Sequence, residues 1–363
     1  MKVLLIAGAR PNFMKIAPIF RESQLHPGVD CRIVHTGQHY DHDMSQAFFD
    51  DLGIPAPAYS LNAGSGTHAE QTARIMVAFE PVCMDMRPDW VVVVGDVNST
   101  LACAIVAKKL GIMVAHVEAG LRSFDLSMPE EINRMVTDAI SDLFFVTEQS
   151  GVANLHREGK SAGQVHMVGH VMIDNLLHQV RELEDMAPES ISVHEAKPKG
   201  PYAFLTMHRP SNVDHKDTFA GIARALNRIA EDMPIIFPVH PRTRSRLEQF
   251  ALDLSPRITL LSPLGFKDAL FLWKDAKLVL TDSGGLQEET TALGVPCLTL
   301  RENTERPITV DMGTNLLAGN TEPSILEAYE KISRNEGDQA KIPPLWDGQA
   351  SRRIWSVLLG LVA

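Results

Sequence analysis

Short runs of Val, Ile, Leu and Phe alternate along this chain with longer amphipathic segments. In the first half the runs are residues 3–8, 31–36, 90–95, 113–118, 143–147 and 165–169. They are apolar almost without interruption, which is the pattern of parallel strands covered on both faces. Helical stretches lie between them, among them 99–110 and 129–140. Such alternation predicts a doubly wound α/β sheet. From 181 to 201 acidic residues, prolines and a Lys-Pro-Lys-Gly stretch break the pattern, as at an interdomain crossing. It then restarts with runs at 202–206, 235–239, 258–261, 278–281, 295–300 and 316–318.

The expected architecture is therefore α/β, with two Rossmann-like domains at about 1–180 and 181–345. Two such halves place a cleft between the carboxyl ends of their strands, where ligands bind in sheets of this kind. The length of 363 residues agrees with two cores better than with one.

Composition narrows the function. A net charge of −11 argues against a general nucleic-acid or anionic-membrane surface, while leaving room for a local anion pocket. No run approaches the roughly 20 apolar residues of a membrane helix. The run at 3–8 meets Arg10 and Pro11 at once, so it reads as a strand and not as a signal segment. The four cysteines, without a CxxC pair, read as buried thiols, and the protein is expected in the cytoplasm.

Polar residues gather just after the strands. Gly8-Ala9-Arg10-Pro11-Asn12 with Lys15 offers two cations at a helix start, suited to a phosphate or simply solvated. Thr281-Asp282-Ser283-Gly284-Gly285 opens a helix whose backbone N–H groups could meet a phosphate, with Glu289 further along for ribose hydroxyls. The alternative is that the glycines only permit a tight strand-to-helix turn. Neither a Walker A ending nor a GxGxxG after a strand is present, so a dinucleotide cofactor is unsupported.

Asp96, Glu118 and Glu130 are the acid–base candidates. Ser127 and Glu130 also have the spacing of a capping box, which makes Glu130 either a cap or a catalyst. His208 and His240 each follow a strand, and Arg306 lies at another strand exit. No closely spaced ligand set predicts a metal.

Together these segments resemble the bacterial non-hydrolysing UDP-N-acetylglucosamine 2-epimerases. The matching pieces are Gly8-Ala9-Arg10-Pro11 with Lys15, Thr36-Gly37-Gln38-His39, Gly95-Asp96, and the stretches 116–122 and 129–134. They continue with His208-Arg209, 282–289 and Thr304-Glu305-Arg306-Pro307. The resemblance implies the two-domain fold shared with GT-B glycosyltransferases and a cofactor-free isomerase of polysaccharide biosynthesis. Arg10, Lys15, Ser283, Gly284, Gly285, Glu289 and Arg306 would hold UDP, with Phe266 near the uracil. Asp96, Glu118, Glu130 and His208 would carry the chemistry. Gln38, His39, Arg134 and His240 would be sugar-side or regulatory, because some members are activated by a second UDP-sugar near Gln38-His39. Members are typically homodimers, and a final helix within 346–363 would pack back on the first domain. Two departures stand out: Gly-Ala-Arg-Pro-Asn where many relatives have Gly-Thr-Arg-Pro-Glu, and Arg-Pro-Ser-Asn-Val-Asp after His208. They leave the hexosamine open, with 3-acetamido, 6-deoxy and uronate variants as alternatives.

Overall fold

Alternate residues of each central strand enter opposite cores, which is why the runs are continuously apolar. The computed structural model describes residues 1–37, 46–334 and 341–360. It divides into two units, one of Met1–Asn175 with Leu345–Ala363 and one of Leu176–Pro344.

The first unit holds β1 (Lys2–Ala7), β2 (Asp30–His35), β3 (Tyr59–Ser60), β4 (Trp90–Val94), β5 (Met113–Val117), β6 (Leu143–Val146) and β7 (Val165–Met167). All pairs are parallel, in the order β3-β2-β1-β4-β5-β6-β7. Val3, Leu5, Val92 and Val94 bury into one core, and Leu4, Ile6, Val91 and Val93 into the other. The helices are α1 (Arg10–Ser23), α2 (Gln46–Asp51), α3 (His68–Met86), α4 (Asn98–Lys109), α5 (Pro129–Ile140), α6 (Gln149–Arg157) and α7 (Val171–Glu184). The division between units falls inside α7.

In the second unit β8 (Ala203–Thr206), β9 (Ile235–Pro238), β10 (Ile258–Leu261), β11 (Leu278–Thr281), β12 (Cys297–Thr299) and β13 (Asn315–Leu317) pair in the order β10-β9-β8-β11-β12-β13. They alternate with α8 (Pro210–Val213), α9 (Lys216–Asp232), α10 (Pro241–Phe250), α11 (Phe266–Trp273), α12 (Gly284–Leu293), α13 (Pro307–Asp311) and α14 (Glu322–Ser333). Each sheet thus reverses direction once, between β1 and β4 or between β8 and β11, and α/β sheets bind ligands beyond such reversals. The chain closes with α15 (Ala350–Leu358), whose Trp355 indole N–H donates to the Ile19 carbonyl at 2.7 Å. Asp174 accepts the Ala350 and Ser351 amides at its start.

The sequence runs overshoot the strands at their carboxyl ends, and the excess residues are the informative ones. Gly95 ends β4 at φ +68°, and Glu118 ends β5 at φ +65°. A non-glycine residue in that region costs about 1–3 kcal/mol and persists only where its surroundings impose it. Among the described residues no helix is long and apolar enough to cross a membrane, and no cluster of three or more His, Cys, Asp or Glu could hold a metal.

Candidate active site

The left-handed turn at Glu118 brings its carboxylate back beneath the β4 exit. Oε2 accepts from Lys15 Nζ at 2.5 Å, and Oε1 is buried without a hydrogen-bond partner among the described residues. A strained backbone carrying a buried, half-satisfied carboxylate is the signature of a group held for a task. Gly95 makes the approach possible, because a Cβ there would stand 3.2 Å from Lys15 Nζ and 3.8 Å from Glu118 Oε2. At this helix start, a candidate phosphate site from its two cations, the Gly8 and Ala9 amides donate to Asn12 Oδ1 at 3.2 and 3.0 Å. Lys15 likewise faces Glu118 and not an open phosphate position. Both changes have one cause: the start of α1 packs against the β4 exit, where Asn12 also donates to the Val94 carbonyl. Arg10 remains exposed, its guanidinium 5.0 Å from the Phe48 ring.

Residues 130, 134 and 138 of α5 recur at i, i+4 and i+8 and so share one helix face. Arg134 donates to Asp96 Oδ2 at 2.7 and 3.0 Å and to Glu131 Oε2 at 2.7 Å. Asn133 donates to the Asp96 carbonyl at 2.8 Å. Glu131 in turn accepts the Ser123 and Phe124 amides. The capping box is not formed: Met128 precedes the helix with no side-chain cap, and the Ser127 hydroxyl donates to Asp125 Oδ1. Glu130 is left exposed, without a hydrogen bond or ion pair of its own among the described residues.

In the second unit Asp282, fully buried at the end of β11, organises the β8 exit. It accepts the His208 and Arg209 amides and the Asn212 side chain, and its Oδ1 lies 3.1 Å from His208 Nδ1. Burial opposes the charge on Asp282, but His208 and these amides hold it below the usual carboxylate range. The same hydrogen bond raises His208 against the opposing effect of burial. His240 lies with its ring 5.9 Å from that of His208 and accepts the Arg242 amide at the start of α10.

The first turn of α12 bears on the two readings of its glycines. Neither Gly284 nor Gly285 has positive φ, and a Cβ on either would meet nothing within 4 Å. A tight turn or close packing would require the opposite, so these glycines leave open space over the helix N-terminus. Such a terminus presents unpaired N–H groups and a partial positive charge to an anion. The neighbouring 301–306 segment is pinned to α12. Thr304 donates to Gln287 Oε1 at 2.6 Å, and Arg306 Nε lies 2.7 Å from Glu288 Oε1. Desolvation, with Glu288 beside it, pushes Glu289 up to about 8. Phe266 opens α11, partly buried, just beyond β10.

The structure therefore gathers Lys15, Asp96, Glu118 and Arg134 in one unit, and His208 and His240 in the other, with Ser283, Gly284, Gly285, Glu289 and Arg306 around α12. Gln38 and His39 lie outside the described residues. Beyond the fourfold spacing of Glu130, Arg134 and Asp138 on a helix, Asp138, Asn133 and Glu288 carry no signal of their roles in the sequence, nor does the pairing of Asp282 with His208.

Two Rossmann-like domains of the GT-B type, with carboxylates at one sheet exit and an anion-ready helix at the other, define a nucleotide-sugar class of enzyme. Residues 21–359 match the family model described as UDP-N-acetylglucosamine 2-epimerase. The chain belongs to that family. It is 42% identical to the UDP-N-acetylglucosamine 2-epimerase of Methanocaldococcus jannaschii, over 99% of both chains. The crystal structure of that archaeal enzyme in complex with UDP-GlcNAc and UDP matches with a TM-score of 0.82, covering 99% of this chain and all of the other. A Pseudomonas aeruginosa relative, UDP-2,3-diacetamido-2,3-dideoxy-D-glucuronate 2-epimerase, is 39% identical over 99% of this chain and 100% of its own length. The kinship thus extends across archaea and bacteria.

Proposed function

We propose that the chain is a non-hydrolysing isomerase that interconverts UDP-N-acetylglucosamine and UDP-N-acetylmannosamine at C2. Family membership supports the reaction type, and the open α12 terminus is the observation that carries the nucleotide side of the reading. The C2 hydrogen of an N-acetylhexosamine has no adjacent carbonyl, so direct deprotonation is disfavoured. Loss of the C2 proton with the C1–O bond breaking toward UDP gives 2-acetamidoglucal. Re-addition of UDP, with a proton delivered to the opposite face of C2, completes the inversion.

In this scheme Ser283, Gly284 and Gly285 meet the diphosphate, Arg306 and Arg10 neutralise it, Glu289 takes the ribose and Phe266 the uracil. Asp96, Glu118 and Glu130 supply the proton chemistry. Lys15 neutralises Glu118 and Arg134 neutralises Asp96, while His208, steadied by Asp282, serves as a charged donor. The exposed apolar residues Phe124, Leu126, Ile132, Met135 and Val136 suit a homodimer interface, to be checked by light scattering. Four buried free cysteines suit a reducing cytoplasm.

Incubation with UDP-GlcNAc in deuterated buffer should yield UDP-ManNAc carrying deuterium at C2. The Pseudomonas relative and the altered segment after His208 favour a second substrate, a UDP-2,3-diacetamido uronate, for the same assay. Release of free N-acetylmannosamine would point to a hydrolysing enzyme, and UDP release only with an added acceptor to a glycosyltransferase. Absence of epimer and of deuterium with every UDP-hexosamine would refute the proposal.

A further inference from the structure

We infer that His116, held as an imidazolium between Asp138 and the Gly95 carbonyl, is a positioning residue that fixes together the two turns carrying Asp96 and Glu118. His116 lies in β5 and is fully buried. Its Nδ1 stands 2.7 Å from Asp138 Oδ1, and its Nε2 stands 2.8 Å from the Gly95 carbonyl oxygen. Both neighbours can only accept. A neutral imidazole has one N–H, so it could serve only one of them and would set a lone pair against the other. With no solvent at the ring, only the doubly protonated form satisfies both contacts.

The countercharge is equally organised. Asp138 Oδ2 accepts the Gly120 amide at 3.0 Å and lies 2.7 Å from Arg122 Nη2. Arg122 in turn grips Glu158 with two bonds, at 2.8 and 2.6 Å. Two cations thus face two anions, Asp138 buried and Glu158 at the solvent edge. Burial would drive Asp138 upward, yet His116 and Arg122 hold it below the usual carboxylate range. Other charges near the cluster are themselves paired: Lys15 with Glu118 beside Gly95, and Arg134, one turn before Asp138, with Asp96 and Glu131.

The attachment points distinguish this cluster from an ordinary buried ion pair. His116 holds the carbonyl of Gly95, the residue before Asp96. Asp138 holds the amide of Gly120, two residues after Glu118. Gly95, Glu118 and Gly120 all have positive φ, between +65° and +78°. The glycines take this conformation freely and Glu118 alone is strained by it; the cluster ties both turns to α5, the helix that also carries Glu130 and Arg134. A misplacement of about 1 Å at such groups can cost on the order of 100-fold in rate.

The test has two arms. In the wild-type protein labelled with ¹⁵N-histidine, one buried ring should carry protons on both nitrogens. That ring is identified by its slow exchange with solvent and by its displacement in Asp138→Asn. In the second arm, His116→Gln retains an N–H for Gly95 but loses the charge. Its kcat should fall about 100-fold while KM and UDP affinity stay within about threefold, and His116→Ala should be slower still. A singly protonated His116 in the wild type overturns the inference even if the variants fail to fold, as does a folded His116→Gln with unchanged kcat. The kinetic arm rests on the epimerase reading; the NMR arm does not, so the two can fail separately.

Discussion

The two sheets share one strand order but use their carboxyl ends in opposite ways. At the β4 and β5 exits of the first unit nearly every charge is matched: Lys15 to Glu118, Arg134 to Asp96, His116 and Arg122 to Asp138. At the β11 exit of the second unit Asp282 is satisfied and the Ser283 amide donates to Thr281 Oγ1, but the helix start has no side-chain cap, and open space lies above Gly284 and Gly285. The contrast follows from what each end would do. Proton transfer needs groups held at fixed positions with no rearrangement during reaction, whereas diphosphate capture needs donors left unsatisfied until the ligand arrives. A shared topology therefore provides the place for a site, and the degree of internal satisfaction shows which part of the chemistry it suits.

The strongest way to break this contrast is at Glu118. Glu118→Gln keeps the shape of the side chain but removes the charge that faces Lys15. Turnover should fall by about 10²–10⁴, with UDP affinity by calorimetry close to wild type. A parallel loss of affinity would mean that the first unit also holds the nucleotide strongly. Glu130→Gln should likewise slow turnover by about 10²-fold or more. Its melting temperature should not change, because no cap is present to lose; a cap would have shown itself as a loss of about 1 kcal/mol.

The opposite pole is tested at Gly285, where added bulk enters open space. Gly285→Val should leave the melting temperature nearly unchanged and weaken UDP binding about tenfold, or about 1.4 kcal/mol. If instead stability dropped and affinity held, the glycine would be structural and the comparison between the two units would collapse.

Much of this was legible in the chain, and the omissions have physical causes. The central strands announced themselves because both faces are buried, which leaves few polar residues, His116 in β5 among them, to interrupt the runs. Their ends did not, because β5 stops where packing forces Glu118 into a left-handed turn that no local propensity favours. The helix start at Pro129 was readable, but the capping box was misleading: Asp125, two residues earlier, competes successfully for the Ser127 hydroxyl. Asp138 looked like one more helical carboxylate until the β5 register placed His116 against it. The pairing of Asp282 with His208 required knowing that β11 lies beside β8, with Thr281 opposite Thr206. Periodicity revealed the elements; strand order, which no short window contains, revealed the partners.

The smallest effect should be a pH dependence inside the second unit. Glu289 titrates near 8 in the folded chain, pushed up by desolvation and by Glu288, and near the ordinary value of about 4.3 when unfolded. Between these values the folded state binds the extra proton, so stability should fall as pH rises through that window and level off above it. His208, also raised, adds a stabilisation that is lost in the same direction, full below about 6.5 and gone once pH passes its folded value. Glu289→Gln isolates the first contribution: its stability curve should be flatter than wild type from about pH 5 to 8, with the His208 step retained. A curve parallel to wild type would show that Glu289 is ionised in the folded protein. It would then meet the ribose as an acceptor only, whereas a neutral carboxyl can both donate and accept, making the α12 region a site whose nucleotide affinity weakens as pH climbs toward 8.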